Sequence, residues 1–310
     1  MTINILFSAS SEGWEIYQTA LTKALDKLNS PYRLDTQIPS EKVDYIIYAP
    51  KSGVNDFSPF TRCKAVLNLW AGVEDVVFNE TLKIPLVRMV EYGLTQGMTE
   101  WVVGHVMRHH LNIDRYILEQ DRTWKQHIPP LAKNRVVCVL GLGQLGSNCA
   151  VTLSRIGFQV RGWSRTKKNI PGVVCFNGKQ GLELSLSEAE FAVLLLPNTP
   201  QTESTLNIKT LSVMKRGAFV INPGRGTLID DKALLKVLDS GHIAHATLDV
   251  FRCEPLPNNH PYWYHQKVTV TPHIAAATRP EYAASVIAEN VLRGESGKPF
   301  LHLVNKKNGY

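Results

Sequence analysis

Short apolar runs alternate with helical patterns along the 310 residues of the chain. Two of the early runs are Ile3–Ser8 and 65–69, and two of the later ones are Val136–Leu140 and Ala218–Asn222. Each run is apolar throughout instead of alternating with polar residues, which is typical of strands buried on both faces. Strands that alternate with helices predict parallel sheets covered by helices on both sides, so we expect an α/β fold.

A long helical pattern over residues 99–120 separates the early series of predicted strands from the later one. The chain length also suggests two domains, at about 150 residues for each. A last helical pattern, over residues 280–293, follows the final predicted strand, and we expect it to pack back on the first domain. The predicted domains are therefore residues 1–97 plus 280–310, and residues 98–279.

The strongest local motif is GLGQLG, which directly follows the apolar run Val136–Leu140 and precedes a helical pattern. In such a strand-turn-helix unit, Gly141 allows the tight turn, Gly143 lets the backbone approach a pyrophosphate, and Gly146 allows close packing. A glycine-rich turn without a ligand is the alternative. The predicted dinucleotide contacts in this turn are Gly141, Gly143, Gln144, Leu145 and Gly146.

The residues that end the second strand of this unit indicate which dinucleotide binds. An NAD enzyme usually carries an acid there to hold the ribose 2′-hydroxyl, and this chain has none. Arg165 can bind a 2′-phosphate through two hydrogen bonds, and the hydroxyls of Ser164 and Thr166 can donate to it, with Lys167 beside them. The sequence therefore favours NADP(H), with NAD(H) possible; a solvated basic loop is the alternative.

Three residues that suit the reduction of a 2-oxo acid follow late predicted strands, at the edge where parallel sheets place their sites. Arg225 lies in NPGRG, and a cation there would bind the carboxylate and polarise the carbonyl group. His273 lies in TPHIAA and would donate a proton to the carbonyl oxygen, while Glu254 would stabilise and orient the charged ring. A single histidine or arginine after a strand is more often structural, but the three residues together, downstream of a dinucleotide-binding motif, are specific.

Four segments of the chain, GLGQLG, NPGRG, LDVFRCEPLP and TPHIAA, resemble signatures of the D-2-hydroxyacid dehydrogenase family. The stretches HPYW and IPLVR resemble its glyoxylate/hydroxypyruvate reductase A branch, and the likeness covers nearly the whole chain. The resemblance implies a Rossmann dinucleotide-binding domain for residues 98–279. It implies a smaller flavodoxin-like substrate domain for residues 1–97 plus 280–310.

The resemblance also implies roles for residues that the motifs alone do not reveal. The loop Trp70, Ala71 and Gly72 resembles the substrate loop of the family, whose backbone amides hold the carboxylate; many relatives carry a small residue in place of Trp70. Homodimers built through the dinucleotide-binding domain are implied as well. Additional cofactor contacts are implied for Pro197, Thr202 and Asp249.

These observations predict an NADPH-preferring reductase that converts glyoxylate to glycolate and hydroxypyruvate to D-glycerate. Another dehydrogenase of the same family, acting on D-lactate or D-phosphoglycerate, is one alternative. A dinucleotide-sensing corepressor on the same fold is the alternative from a different class of protein. Differences of a methylene or hydroxyl in the substrate amount to only about 1–3 kcal/mol, so the sequence does not rank short 2-oxo acids.

The net charge of +7 comes from scattered basic residues, without a basic stripe interleaved with aromatics, so we expect no nucleic-acid partner. Steering of an anionic small molecule is the alternative use of such a charge. Lys51 and Arg88 either face such an anion or are solvated. No apolar run is long enough to cross a bilayer, and the N-terminus lacks signal-peptide features, so a cytoplasmic location is expected.

Three histidines on the long helical pattern raise the question of a metal. His105 and His109 stand four residues apart with His110 beside them, but Val106 occupies the place where a zinc protease motif needs Glu. We therefore expect no metal site, and a helix surface or subunit contact instead.

Overall fold

The computed structural model describes residues 2–50, 53–118 and 122–309. The chain forms two compact units, Met1–Leu94 with Ala277–Tyr310 and Thr95–Ala276. Lys51, one of the two cations considered for an anionic substrate, and Gln120, the end of the predicted bridging helix, lie outside the described residues. Within the described ranges, no helix is both long enough and apolar enough to span a bilayer.

The strands and helices follow one another in the alternating order expected for an α/β protein. In chain order, the strands are β1 (Ile3–Ser8), β2 (Tyr32–Asp35), β3 (Tyr45–Tyr48), β4 (Ala65–Asn68), β5 (Leu86–Val87), β6 (Val136–Leu140), β7 (Gln159–Ser164), β8 (Val173–Asn177), β9 (Phe191–Leu194), β10 (Ala218–Asn222), β11 (Ile243–Leu248) and β12 (Val268–Val270). The helices are α1 (Ser11–Leu25), α2 (Glu74–Val77), α3 (Tyr92–His110), α4 (Ile113–Leu118), α5 (Gln144–Ile156), α6 (Gly178–Leu186), α7 (Ile208–Ser212), α8 (Asp231–Asp239) and α9 (Pro280–Glu295).

The first unit is built on a parallel sheet in the order β2-β1-β3-β4-β5. This is the flavodoxin-like strand order. Leu21 and Leu25 of α1 and Ala284 and Ile287 of α9 are buried in one apolar core with residues of β1, β3 and β4. The last helix of the chain therefore completes the core of the unit that the first residues begin.

The second unit is a doubly wound Rossmann fold around a parallel sheet in the order β12-β11-β10-β9-β6-β7-β8. The order reverses between β6 and β9, and in open parallel sheets ligands bind beyond the carboxyl ends of the strands at such a point. The central strands β6 and β9 are buried apart from the half-buried Val136, as their unbroken apolar sequences predict. The first strand after the reversal, β9, pairs with both β6 and β10.

Three elements differ from the sequence prediction. The helix predicted over residues 99–120 is two helices, because Asn112 adopts φ +56 between the end of α3 and the start of α4; asparagine tolerates this left-handed conformation. The apolar stretch at residues 246–250 also predicts a strand, but β11 starts and ends earlier, so Asp249 and Val250 already belong to the following loop. The short edge strand β2 was not predicted, since YRLD is only half-buried and lacks an apolar run.

His109 and His110 of α3 are buried inside the second unit and His105 is half-buried, so the expectation of a helix surface is wrong for His109 and His110. His109 Nε2 lies 2.9 Å from Thr247 Oγ1, its ring stacks on Phe219, and the centroid of the His245 ring is 5.1 Å away. Burial lowers the pKa of His109 to about 2 and that of His245 to about 4. Among the described residues, no group of three or more His, Cys, Asp or Glu side chains could hold a metal ion. His109 and His245 are therefore neutral packing groups at pH 7.

This histidine pair predicts a loss of stability in acid. In the unfolded chain both rings titrate near pH 6.5, whereas the folded protein keeps them neutral at lower pH. Their stabilisation is therefore complete above pH 6.5 and declines as the pH falls toward 4, by up to ~1.4 kcal/mol per pH unit for each ring. Urea unfolding at pH 7.5, 6.5 and 5.5 measures the slope, and His109→Gln should reduce it. Equal free energies of unfolding at the three pH values would contradict this expectation.

Candidate active site

The glycine-rich turn connects β6 to α5 where the strand order reverses. Gly141 has φ +106, and a Cβ added there would lie 2.4 Å from the Leu195 carbonyl oxygen. A Cβ added to Gly146 would lie 1.7 Å from the Gly141 carbonyl oxygen. Gly143 caps α5, and a Cβ added there would meet no atom of the described residues within 4 Å. The outer glycines thus serve packing, and the middle one leaves space for a pyrophosphate at the positive end of the helix. The other residues predicted for this turn, Gln144 and Leu145, begin α5.

The predicted phosphate-reading loop starts at Ser164, the last residue of β7. Arg165, Thr166 and Lys167 are exposed. The Ser164 side chain is buried instead, and its Oγ donates to the Thr166 carbonyl oxygen at 2.8 Å. The hydroxyl hydrogen of Ser164 therefore shapes the loop, whereas the exposed cations are the groups that a phosphate would meet.

The turn NPGRG after β10 is held by a residue that sequence reasoning missed. Asn222 is buried; its Nδ2 donates to the Arg225 carbonyl oxygen at 2.9 Å, and its Oδ1 accepts from the Gly224 amide at 3.1 Å. A Cβ added to Gly226 would lie 2.0 Å from the carbonyl carbon of Phe251, so this turn packs directly on the loop after β11. The Arg225 side chain is half-buried, and its Nη1 donates to the Gly224 carbonyl oxygen at 2.7 Å.

Glu254 and His273 come from different loops and form a hydrogen-bonded pair. His273 Nδ1 lies 2.7 Å from Glu254 Oε2, and Glu254 Oε1 accepts from the Phe251 amide at 2.8 Å. Both side chains remain partly exposed. Because β10, β11 and β12 are neighbours in one parallel sheet, the loops that carry Arg225, Glu254 and His273 emerge at the same edge.

The loop that carries His273 is anchored on Asp249, whose carboxylate is fully buried. One oxygen, Oδ1, accepts from the Thr271 hydroxyl at 2.6 Å and from the Ile274 amide at 2.9 Å, and Oδ2 accepts from the Ala275 amide at 2.9 Å. The Asp249 carbonyl oxygen accepts from the His273 amide at 2.9 Å. Both carboxylate oxygens of Asp249 therefore accept hydrogen bonds within the protein. The family resemblance implies a place near the nicotinamide for Asp249 and did not predict this anchoring role.

The remaining predicted cofactor loop follows β9 and is folded around Thr202. Its Oγ1 donates to the Pro197 carbonyl oxygen at 2.6 Å and accepts from the Thr199 amide at 2.9 Å. Thr227 Oγ1 donates to Asn198 Oδ1 at 2.8 Å, which connects this loop to the Arg225 turn. The loop of Pro197 and Thr202 thus has a defined shape at the carboxyl edge of the sheet.

In the first unit, the predicted substrate loop follows β4 and is organised by Asn68. The buried Nδ2 of Asn68 donates to the carbonyl oxygens of Trp70, at 2.9 Å, and Gly72, at 2.8 Å. The Met89 amide also donates to the Trp70 carbonyl oxygen. The Trp70 side chain is about half exposed, whereas Ala71 and Gly72 are half-buried. The carbonyl oxygens of Trp70 and Gly72 are thus engaged within the unit.

Comparison with known proteins places this arrangement in a family. The model of the D-isomer specific 2-hydroxyacid dehydrogenase NAD binding domain matches residues 101–275. The chain belongs to the D-isomer specific 2-hydroxyacid dehydrogenase family. Membership makes the protein an NAD(P)-dependent dehydrogenase and accounts for the Rossmann unit and its glycine turn.

Individual relatives of the family are similar over most or all of the chain. A glyoxylate/hydroxypyruvate reductase A of Photorhabdus laumondii is 42% identical over 255 residues, which cover 80% of this chain and 82% of the relative. A family member from Xanthobacter autotrophicus, solved in complex with NADPH and MES, is 37% identical, with a TM-score of 0.93 and full coverage of both chains. An NADPH-dependent glyoxylate/hydroxypyruvate reductase of Sinorhizobium meliloti, solved with NADP and sulfate, is 32% identical, with a TM-score of 0.87 and coverage of 100% and 99%.

The glycine turn gives a test that separates binding from folding. Gly143→Ala adds a methyl group in open space at φ −75, so the thermal midpoint should stay near that of the wild type. The methyl group would obstruct a pyrophosphate, so NADPH affinity should fall about tenfold or more, a loss of ~1.4 kcal/mol or more. Gly146→Ala should instead lower the thermal midpoint, because its methyl group meets the Gly141 carbonyl oxygen. Calorimetric titration and thermal melts measure both; unchanged NADPH affinity in Gly143→Ala would place the pyrophosphate elsewhere.

Proposed function

We propose that this protein reduces small 2-oxo acids, converting glyoxylate to glycolate and hydroxypyruvate to D-glycerate. The observation that carries the proposal is the 2.7 Å contact between His273 and Glu254 at the sheet edge to which the Arg225 turn also belongs. This set provides a proton donor, a carboxylate that stabilises it, and a cation for an anionic substrate. The relatives named glyoxylate/hydroxypyruvate reductase support this choice of substrates.

The chemistry assigns one task to each side chain. When bound, a reduced nicotinamide would supply a hydride to the carbonyl carbon. The Arg225 guanidinium binds the substrate carboxylate and polarises the carbonyl group, so that negative charge on its oxygen is stabilised. Protonated His273 gives its Nε2 proton to that oxygen as the C=O π bond breaks, because Nδ1 is engaged with Glu254. New C–H and O–H bonds form, and His273 regains a proton from solvent.

The loop of Trp70, Ala71 and Gly72 is proposed to bind the substrate carboxylate through its amides. Asn68 and Met89 donate hydrogen bonds to carbonyl oxygens of this loop. An anion that approaches the loop would therefore meet amide donors rather than those carbonyl acceptors. The bulk of Trp70 would restrict the size of the group that a substrate carries on its keto carbon. This restriction favours glyoxylate and hydroxypyruvate over longer 2-oxo acids.

We also propose a homodimer formed through the dinucleotide-binding unit. Several apolar side chains that follow α3 in sequence are highly exposed, and exposed apolar surface is typical of protein interfaces. Their exposed fractions range from 65% to 92%. The residues are Ile117, Leu118, Trp124, Ile128 and Leu131.

The substrate and cofactor are tested together by initial rates with a panel of short 2-oxo acids, each with NADPH and with NADH. We expect turnover of glyoxylate and hydroxypyruvate and a preference for NADPH of about tenfold or more in kcat/KM. Tight cofactor binding without turnover of any 2-oxo acid would contradict the proposal and favour a dinucleotide-sensing binding protein.

The preference for NADPH is assigned to the exposed cations after β7, with Arg165 as the principal contact. A charged arginine–phosphate contact contributes about 1.5–3 kcal/mol, so Arg165→Ala should raise the KM for NADPH by one to two decades. The KM for NADH should barely change. Ser164→Asp is a poorer test, because it would place a carboxylate against the Thr166 carbonyl oxygen.

Lys133→Ala is the matched control for Arg165→Ala. It removes one exposed positive charge just before the amino end of β6, at the opposite edge of the sheet. Its ratio of kcat/KM for the two cofactors should equal that of the wild type. If Arg165→Ala also leaves that ratio unchanged, the basic loop does not bind the phosphate.

A further inference from the structure

We propose that Arg252 is a positioning residue that fixes the turn carrying Glu254, and through it the Glu254–His273 pair. The inference rests on the proposed function, in which that pair delivers the proton. Arg252 does not contact the pair directly. It lies two residues before Glu254 in the loop after β11, and its guanidinium reaches away to two other loops.

The guanidinium of Arg252 has polar partners in the loop after β9 and in the segment that follows Arg225. In the loop after β9, its Nη1 lies 3.1 Å from Glu203 Oε1, and its Nη2 lies 3.2 Å from Ser204 Oγ. In the segment after Arg225, its Nη2 donates to the carbonyl oxygens of Thr227, at 3.2 Å, and Ile229, at 2.9 Å. One side chain therefore joins the Thr202 loop, the Arg225 turn and the Glu254 turn.

A planar group with five N–H donors is needed for this connection. The four contacts above use Nη1 and Nη2, and Nε lies 3.8 Å from Asp231 Oδ2. A lysine has one ammonium at the end of a flexible stem and cannot reach acceptors spread over these segments at once. The arrangement thus uses the shape of the guanidinium and not only its charge.

The turn of Glu254 depends on such contacts because apolar packing behind it is incomplete. A cavity of about 80 Å³ lies between this turn and the segment after Arg225. Arg252 forms part of its wall, together with mainly apolar side chains that include Ile229, Val250 and Leu256. Void space gives the turn room to move, since its lining lacks partner atoms on one side.

The path from Arg252 to the proton donor is short. The Arg252 guanidinium holds the backbone of residues 251 and 252 against the Arg225 turn. The contact is so close at Gly226 that a side chain at that position would collide with the Phe251 backbone. The Phe251 amide in turn donates to Glu254 Oε1, and Glu254 Oε2 contacts His273 Nδ1. Loss of the guanidinium should let this turn shift into the cavity and misalign Glu254, while the glycine turn for the dinucleotide is unaffected.

If Arg252 acted only through its surface ion pair with Glu203, its loss would change stability little and would leave kcat unchanged. A positioning role predicts a lower kcat with little change in the affinity for NADPH. Arg252→Ala should lower kcat for glyoxylate by about ten- to a hundredfold, with NADPH affinity within about threefold of wild type. Arg252→Lys should recover only part of kcat. Arg216→Ala, which removes an exposed arginine that donates to the Ser240 carbonyl oxygen, should leave kcat unchanged.

A double-mutant cycle with Glu254→Gln identifies the route of the effect. If Arg252 acts through Glu254, Arg252→Ala should cost less than about threefold in kcat once Glu254 is replaced, because coupled residues are not additive. Equal losses in both backgrounds, or a wild-type kcat in Arg252→Ala, would overturn the inference while leaving the proposed function intact. A wild-type kcat in Glu254→Gln would contradict the proposed function itself. Thermal melts accompany each variant, and Arg252→Lys replaces Arg252→Ala in the cycle if the alanine variant unfolds.

Discussion

The buried carboxylate of Asp249 is the constraint on which the candidate active site depends. A fully buried carboxylate is costly unless its oxygens are hydrogen-bonded, and here three donors of residues 271–275 satisfy it. Those bonds determine the path of the chain after β12. His273 adopts φ +53 there, in the left-handed region that side chains with a Cβ rarely occupy. Strain of this kind persists only where the surroundings enforce it, and it is common at functional sites.

The same region shows how a Rossmann sheet brings distant residues together. The Asn222 carbonyl oxygen, at the end of β10, accepts a hydrogen bond from the Asp249 amide. The Asn222 side chain holds the Arg225 turn. Glu254 then reaches His273 from the loop between β11 and β12. Because these three strands are adjacent and parallel, residues about 20 to 50 positions apart in sequence share one edge.

Much of this arrangement is readable in the sequence because it depends on local signals. Unbroken apolar runs mark the central strands, and GLGQLG marks the turn, since glycine is required by the backbone itself at Gly141 and Gly146. The contact between Glu254 and His273 follows from strand adjacency once the fold class is known. The exposure of Arg165 and its neighbours agrees with their placement in a loop after β7.

Other features depend on tertiary contacts that no short motif records. The strand β2 is an edge strand with half-buried residues, so its sequence resembles a loop. The hydroxyl of Ser164 donates a hydrogen bond within its own loop. The carboxylate of Asp249 accepts hydrogen bonds from the His273 loop and is not exposed to a ligand. The several acceptors around Arg252 come from separate segments of the chain. Such assignments require the folded geometry, because the partners are chosen by position and not by spacing.

We propose that His273 protonates the carbonyl oxygen of a 2-oxo acid while its carbonyl carbon receives a hydride. The most direct test uses NADPH in which both hydrogens at the nicotinamide C4 position are replaced by deuterium, with glyoxylate as substrate, in wild-type protein and in His273→Ala. The wild type should yield glycolate with deuterium on C2. His273→Ala should lower the rate of its formation by roughly two to four orders of magnitude, the usual contribution of a general acid, with NADPH affinity little changed. Glycolate without deuterium, or a near-normal rate in His273→Ala, would contradict the account.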